Sequence, residues 1–124
     1  MRTEKVRYFT DKEDEFTNLL IETGTNKNVA KVLVFLAGIP GASSKDVERG
    51  TDLRQPEVSI AMKYLVRQRW IIGRAIRTEN KGRPAMEYCL SRPFHEIMEI
   101  IETEKKQEAT NQIALVQKLQ YHLR

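Results

Sequence analysis

The segment formed by residues 29–37 contains a single polar residue, Lys31, and is otherwise apolar. Other elements must cover a segment of this kind on most sides, so it constrains the fold more than any other feature. Its valines would also suit a buried strand, but we favour a central helix over residues 26–37. The remaining elements are then expected to pack around this helix.

Two capping signatures mark the beginnings of further helices. Thr10 precedes Glu13 by three residues, and Ser43 precedes Asp46 by the same interval. Such pairs satisfy free N–H groups in the first turn, and they predict helices over residues 10–22 and 43–49. Residues 50–52 are expected to form a tight turn.

A fourth helix is predicted to follow this turn, because Pro56 suits a first helical turn and the apolar spacing continues to about residue 68. At about 100° per residue, two faces separate. The apolar face, expected in the core, contains Val58, Ala61, Met62, Leu65 and Val66, and the outward face contains Pro56, Ser59, Ile60, Lys63 and Arg67.

Residues 71–78 and 85–90 have the composition of strands, and the segment between them is rich in breakers and charge. They predict a hairpin with a basic tip. Trp70 and Tyr88 are expected in the core. Residues 91–93 begin a last helix, which is too long for one small core.

The charge distribution supports an anionic partner for the middle of the chain. The net charge of the 124 residues is only +4. Nine of the 21 basic residues but three of the 17 acidic residues lie between positions 54 and 92, so this segment carries +6 and the remainder −2. The basic segment coincides with the fourth predicted helix and the hairpin.

The order of short helix, turn, helix with a polar face, and basic hairpin predicts a winged helix-turn-helix. An α-helix fits the major groove of B-DNA, which is about 12 Å wide, and a basic hairpin can contact the backbone or the minor groove. The predicted fold class is mainly α with a small β-hairpin and a long C-terminal dimerisation helix. The domains are residues 1–92, which bind DNA, and residues 93–124, a helical dimerisation segment.

Two stretches resemble a known superfamily. The segment QPEVS at residues 55–59, followed by KYL at 63–65, resembles the recognition helix of ArsR-like and MarR-like regulators. The segment KGRPA at residues 81–85, with Tyr88 and Leu90, resembles the wing of many prokaryotic regulators, including TrmB-like archaeal ones. The resemblance covers residues 28–90 and implies DNA binding. Two departures are Ile60 with Ala61, where basic or polar residues are common, and Arg69, where glycine is common.

The candidate DNA-binding residues form two groups. On or beside the recognition helix they are Arg54, Gln55, Pro56, Ser59, Ile60, Lys63 and Arg67. Gln can pair with adenine, and Arg or Lys with guanine or phosphate; Ile60 meets either a thymine methyl or the neighbouring helix, and Glu57 favours the helix N-terminus. In the wing they are Arg74, Arg77, Lys81, Gly82 and Arg83, assigned to phosphate or minor-groove contact.

The last helix carries apolar residues at helical spacing, and a second copy of the chain is the expected partner. The alternative is that the helix folds back onto the first helix of its own chain. The dimerisation residues are Phe94, Ile97, Met98, Ile101, Ile113, Val116, Leu119 and Leu123.

Other function classes find little support. No metal-ligand spacing, Gly-rich phosphate loop or nucleophile–base arrangement is present, so we expect no enzyme, metal or cofactor. The single cysteine, Cys89, excludes an internal disulfide framework, and nothing marks it as a redox sensor. Without a membrane-length apolar stretch or a secretory leader, the protein is expected to be cytoplasmic.

We therefore expect a sequence-specific transcription regulator that acts as a homodimer on double-stranded DNA. The alternatives are a non-specific chromatin protein and a winged-helix interaction module of a transcription complex. No small-molecule effector can be named, although a ligand could bind at the dimer interface.

Overall fold

The computed structural model describes residues 9–76 and 85–123 of the chain. The elements follow in the order α1 (Asp11–Glu22), α2 (Lys27–Ala37), α3 (Ser44–Thr51), α4 (Gln55–Arg67), β1 (Ile71–Ile76), β2 (Ala85–Leu90) and α5 (Phe94–His122). The predicted fold class, mainly α with a small hairpin and a long C-terminal helix, is confirmed. The elements separate into two compact units, Met1–Arg92 and Pro93–Arg124.

The apolar segment at residues 29–37 forms the middle of α2, so the prediction of a helix rather than a strand is confirmed. Seven of the eleven residues of α2 are buried. The helix begins at Asn26, whose side chain accepts hydrogen bonds from the N–H groups of Asn28 and Val29. Helices α1, α3 and α4 all pack against α2, which is thus the centre of the first unit.

Both predicted capping boxes are present. At α1, Thr10 Oγ1 accepts from the Glu13 N–H at 3.2 Å, and the Thr10 N–H donates to Glu13 Oε1 at 2.9 Å. At α3, Ser43 and Asp46 form the same reciprocal pair at 3.2 and 3.1 Å. Each box satisfies two N–H groups that a helix otherwise leaves free at its N-terminus.

The turn between α3 and α4 is shorter than predicted. Gly50 and Thr51, expected in a turn, continue α3, and the Thr51 hydroxyl donates to the Val47 carbonyl at 2.6 Å. Only Asp52 has a left-handed conformation, with φ of 61°, and its N–H donates to the Glu48 carbonyl. Aspartate tolerates this conformation better than most residues, so one residue reverses the chain.

The end of α4 is a Schellman motif around Arg69, which has a φ of 66°. The Arg69 N–H donates to the Val66 carbonyl, and the Trp70 N–H donates to the Leu65 carbonyl. Trp70 is 4% exposed, which confirms its predicted place in the core. An arginine thus occupies the left-handed position that usually favours glycine.

Strands β1 and β2 pair antiparallel, with Ile71 opposite Leu90 and Ile76 opposite Ala85. The second edge of β2 is also paired: Tyr88 and Ala42 exchange two backbone hydrogen bonds of 2.9 and 2.7 Å. Sequence analysis did not predict this bridge between the segment before α3 and β2. The predicted end of the first strand, residues 77 and 78, lies outside the described residues.

The second unit consists of α5, which extends over 29 residues, or about 43 Å at the usual rise. Within the described ranges, no helix has the length and apolarity needed to cross a membrane.

Candidate nucleic-acid interface

Helix α4 is held in place by one apolar face. Val58, Ala61, Met62 and Leu65 are buried as predicted. Val66, also predicted in the core, is 45% exposed, which corrects that assignment. It lies about 80° around the helix from Val58, at the margin of the apolar face, where no element covers it fully.

The remaining surface of α4 is open to solvent and contains six of the seven predicted recognition residues, and the seventh, Arg54, precedes the helix. Arg54 is the N-cap, and Gln55 and Pro56 form the first helical positions, all three exposed. Further along, Lys63 and Arg67 are exposed and Ser59 is half-buried. Ile60 is 71% exposed, so it does not pack against a neighbouring helix.

The polar side chains on this face have no internal partner in the part of the chain that the structure describes. In residues 9–76 and 85–123, no side-chain hydrogen bond or ion pair engages Gln55, Ser59, Lys63 or Arg67. Glu57 behaves differently, because its Oε1 accepts from the Arg54 N–H at 2.9 Å. It acts at the helix N-terminus, as predicted, and does not pair with the basic and amide side chains of this face.

A groove of about 430 Å³ lies beside this face, between α4, α3 and β2. Its apolar lining comes from Val58, Met62 and Val66 together with Tyr88, which is half-buried rather than in the core as predicted. Ser44 and Glu48 of α3 line the opposite side. The groove was not predicted, since it depends on how the hairpin docks against the helices.

The middle of the hairpin ladder carries an ion pair that sequence analysis missed. Arg74 lies opposite Glu87 in the register, and its Nη2 and Nε donate to Glu87 Oε1 at 3.1 and 3.4 Å. The sequence offered one signal for this pair, namely opposite charges in the two predicted strands. Only the register of the strands shows that the two residues lie opposite each other. The other predicted wing residues, Arg77, Lys81, Gly82 and Arg83, lie outside the described residues.

The C-terminal half of α5 exposes large apolar side chains. Four of the predicted dimerisation residues lie there at intervals of three or four positions: Ile113, Val116, Leu119 and Leu123, between 53% and 80% exposed. Leu115 and Tyr121 are exposed as well. The other four, Phe94, Ile97, Met98 and Ile101, lie in the first turns of the same helix.

Metal or redox chemistry has no evident site in the part of the chain that the structure describes. No group of three potential metal-ligating side chains occurs there. Cys89 is a free, half-buried thiol on β2.

No family model and no curated protein matches the chain. Among solved structures, it is similar to a possible transcriptional regulator from Methanosarcina mazei, with a TM-score of 0.61 and 14% identity over 87% of each chain. It is similar to TrmBL2, an archaeal chromatin protein, with a TM-score of 0.61 and 15% identity, over 90% of this chain and 40% of TrmBL2. It is also similar to NMB1585, a MarR family regulator from Neisseria meningitidis, with a TM-score of 0.51 and 22% identity, over 81% and 68% of the two chains.

At these identities the likeness concerns the fold. The chain has the winged helix-turn-helix fold seen in MarR-family and TrmB-like regulators, and the predicted resemblance is confirmed at that level.

Proposed function

We propose that this protein is a homodimeric, sequence-specific DNA-binding transcription regulator without enzymatic activity, acting in the cytoplasm. Helix α4 enters the major groove, and the hairpin contacts the backbone or the minor groove. The observation that carries this proposal is the outward face of α4, where Gln55, Ser59, Lys63 and Arg67 have no internal partner among the described residues.

Helix α4 is preorganised for binding. The buried face of α4 fixes the helix, so its exposed side chains are presented without rearrangement of the backbone. Gln55 lies at the N-terminal end and can reach base edges, whereas Lys63 and Arg67 suit phosphates or guanine. The similar structures include a possible transcriptional regulator and a MarR family regulator, which agrees with this role.

Dimerisation is the second part of the proposal. The exposed stripe Ile113, Val116, Leu119 and Leu123 needs an apolar partner, and a second copy of α5 supplies an identical one. Two copies would also present two recognition helices to successive major grooves, which extends the site that is read.

A chromatin-type role is the second candidate, and a specific observation favours it. Ile60 is the most exposed large apolar side chain of α4 and offers no hydrogen bond to a base. TrmBL2, which has the same fold, is named as a chromatin protein with a novel mode of DNA binding. Base reading by α4 would then be weak, and phosphate contacts would dominate.

Selection of genomic DNA fragments by the purified protein tests the proposal. Enrichment of a common sequence, followed by much tighter binding to it than to random duplex at one salt concentration, supports the regulator. Uniform binding to all duplexes supports the chromatin role. Absence of DNA binding would reject both and favour the winged-helix interaction module.

A further inference from the structure

Glu87 lies in the middle of the hairpin ladder, between the guanidinium of Arg74 and the backbone of Gly41. On one side, Arg74 donates two hydrogen bonds to its Oε1, at 3.1 and 3.4 Å. On the other side is Gly41, where an added Cβ would come within 2.8 Å of Glu87 Cδ and Oε2. The carboxylate therefore occupies the space that the missing side chain of Gly41 leaves open.

This arrangement engages a cation of the predicted DNA surface. Arg74 is 65% exposed at its side chain and lies in β1, one of the two strands of the hairpin. Its guanidinium is directed at a carboxylate within its own fold, whereas the cations of α4 have no such partner among the described residues. The pair has no net charge, so Arg74 attracts phosphate less strongly while the pair holds than an unpaired arginine would.

The stability of the fold does not explain the presence of Glu87 opposite Arg74. Exposed ion pairs contribute little to the stability of a fold, because water and salt screen them. The strands are already held by the ladder from Ile71–Leu90 to Ile76–Ala85. A phosphate can replace the carboxylate as an acceptor for the guanidinium, but breaking the existing pair opposes that exchange.

We propose that Glu87 restrains DNA binding by sequestering Arg74, and so sets the affinity of the wing for the phosphate backbone. The inference rests on the proposed DNA-binding function. Glu87 acts through Arg74 and is a positioning residue. Gly41 shares this role, because its lack of a side chain admits the carboxylate.

The test compares variants in titrations of random-sequence duplex DNA over a range of salt concentrations. Glu87→Gln removes the charge but keeps the shape of the side chain. The freed Arg74 is expected to add one phosphate contact per protomer. Each contact steepens the slope of log K against log salt by about 0.9, so a dimer with both protomers on the duplex gains about 1.8. At about 0.1 M salt each contact corresponds to binding that is roughly five- to tenfold tighter.

Two variants separate this effect from a general gain in positive charge. Glu102→Gln breaks the exposed Lys106–Glu102 pair of α5, whose atoms are 2.9 Å apart, and changes the net charge equally. It is expected to leave the slope unchanged. Gly41→Ala changes no charge but displaces the carboxylate, and it is expected to tighten binding in the direction of Glu87→Gln. Adding Arg74→Ala to Glu87→Gln is expected to abolish the gain.

The results distinguish this inference from the proposed function. Two results with a wild type that binds DNA would overturn the inference. If Glu87→Gln weakens binding, Glu87 orients Arg74 toward the DNA. If Glu87→Gln leaves the slope unchanged, Glu87 has no effect on DNA binding. A gain that survives the addition of Arg74→Ala also overturns the inference. If the wild type and all variants fail to bind any duplex while thermal unfolding shows them folded, the proposed function is rejected, and the inference with it.

Discussion

The ring of Phe35 in α2 lies directly against the backbone of Gly50 in α3. A Cβ atom on Gly50 would come within 2.0 Å of Phe35 Cε1 and 2.6 Å of Cζ, distances that no pair of carbon atoms tolerates without movement. Glycine normally weakens a helix, by roughly 0.5–1 kcal/mol relative to alanine. At this position the order is reversed, since the close approach of α2 and α3 requires a residue without a side chain.

Gly50→Ala is therefore expected to lower the free energy of unfolding by about 1–3 kcal/mol, the usual cost of an overpacked core. Urea unfolding monitored by circular dichroism measures the change. Lys45→Ala, in an exposed position of the same helix, is the control and is expected to have little effect. A Gly50→Ala protein as stable as the wild type would show that α3 can move away from Phe35 at no cost.

Arg69→Gly is expected to raise stability. The φ of 66° at Arg69 is costly for a residue with a side chain and free for glycine. After the greater flexibility of glycine in the unfolded chain is allowed for, a gain of about 0.5–1 kcal/mol remains. Gln68→Gly, one residue earlier with a φ of −73°, is expected to destabilise by a similar amount. Opposite signs for the two substitutions would establish the left-handed cap as the cause, and equal signs would exclude it.

Gln55→Ala is expected to weaken binding to the preferred DNA site by about 1–3 kcal/mol, the worth of a good bidentate base contact. Binding to random duplex should change far less, because it depends on phosphates. Lys63→Ala, on the same exposed face, is expected to weaken both. The ratio of specific to random affinity, measured at one salt concentration for each variant, separates the two roles. An unchanged ratio for Gln55→Ala would mean that Gln55 contacts no base.

Leu119→Asp is expected to dissociate the dimer. Burial of one leucine is worth at least about 1.5 kcal/mol, and a twofold interface counts each substitution twice, so the loss is about 3 kcal/mol, on the order of a hundredfold in affinity. Tyr121→Asp is the control: this side chain is 72% exposed but lies on the opposite side of α5 from the stripe. Sedimentation equilibrium compares the variants. A wild-type chain that is monomeric at micromolar concentration would rule out the dimer.

The sequence predicted best what local chemistry determines. Helices α1 and α3 begin where Thr10 and Ser43 can cap them, and β2 has the predicted bounds at residues 85–90. The outward face of α4 followed from helical spacing alone. Gly50 was interpreted as a turn residue because glycine commonly breaks helices, but here it serves the packing of Phe35.

The features that were missed depend on contacts between distant segments. The Arg74–Glu87 pair needs the hairpin register, and the bridge from Ala42 to Tyr88 involves a single residue without any periodicity. Val66 was assigned to the core from its angular position, but burial at the margin of a helix face depends on whether a neighbour covers it. No local pattern in one sequence encodes such a neighbour.

The bridge between Ala42 and Tyr88 has a thermodynamic consequence for any ligand of the hairpin. Its two backbone hydrogen bonds, of 2.9 and 2.7 Å, tie β2 to the segment before α3, and the bond from the Ser91 N–H to the Trp70 carbonyl, at 2.9 Å, closes the two strands at the base of the hairpin. The conformational entropy of this base is therefore lost when the chain folds, not when it associates. A partner that contacts Arg74 meets an ordered strand, so less of its binding energy is offset by the cost of ordering.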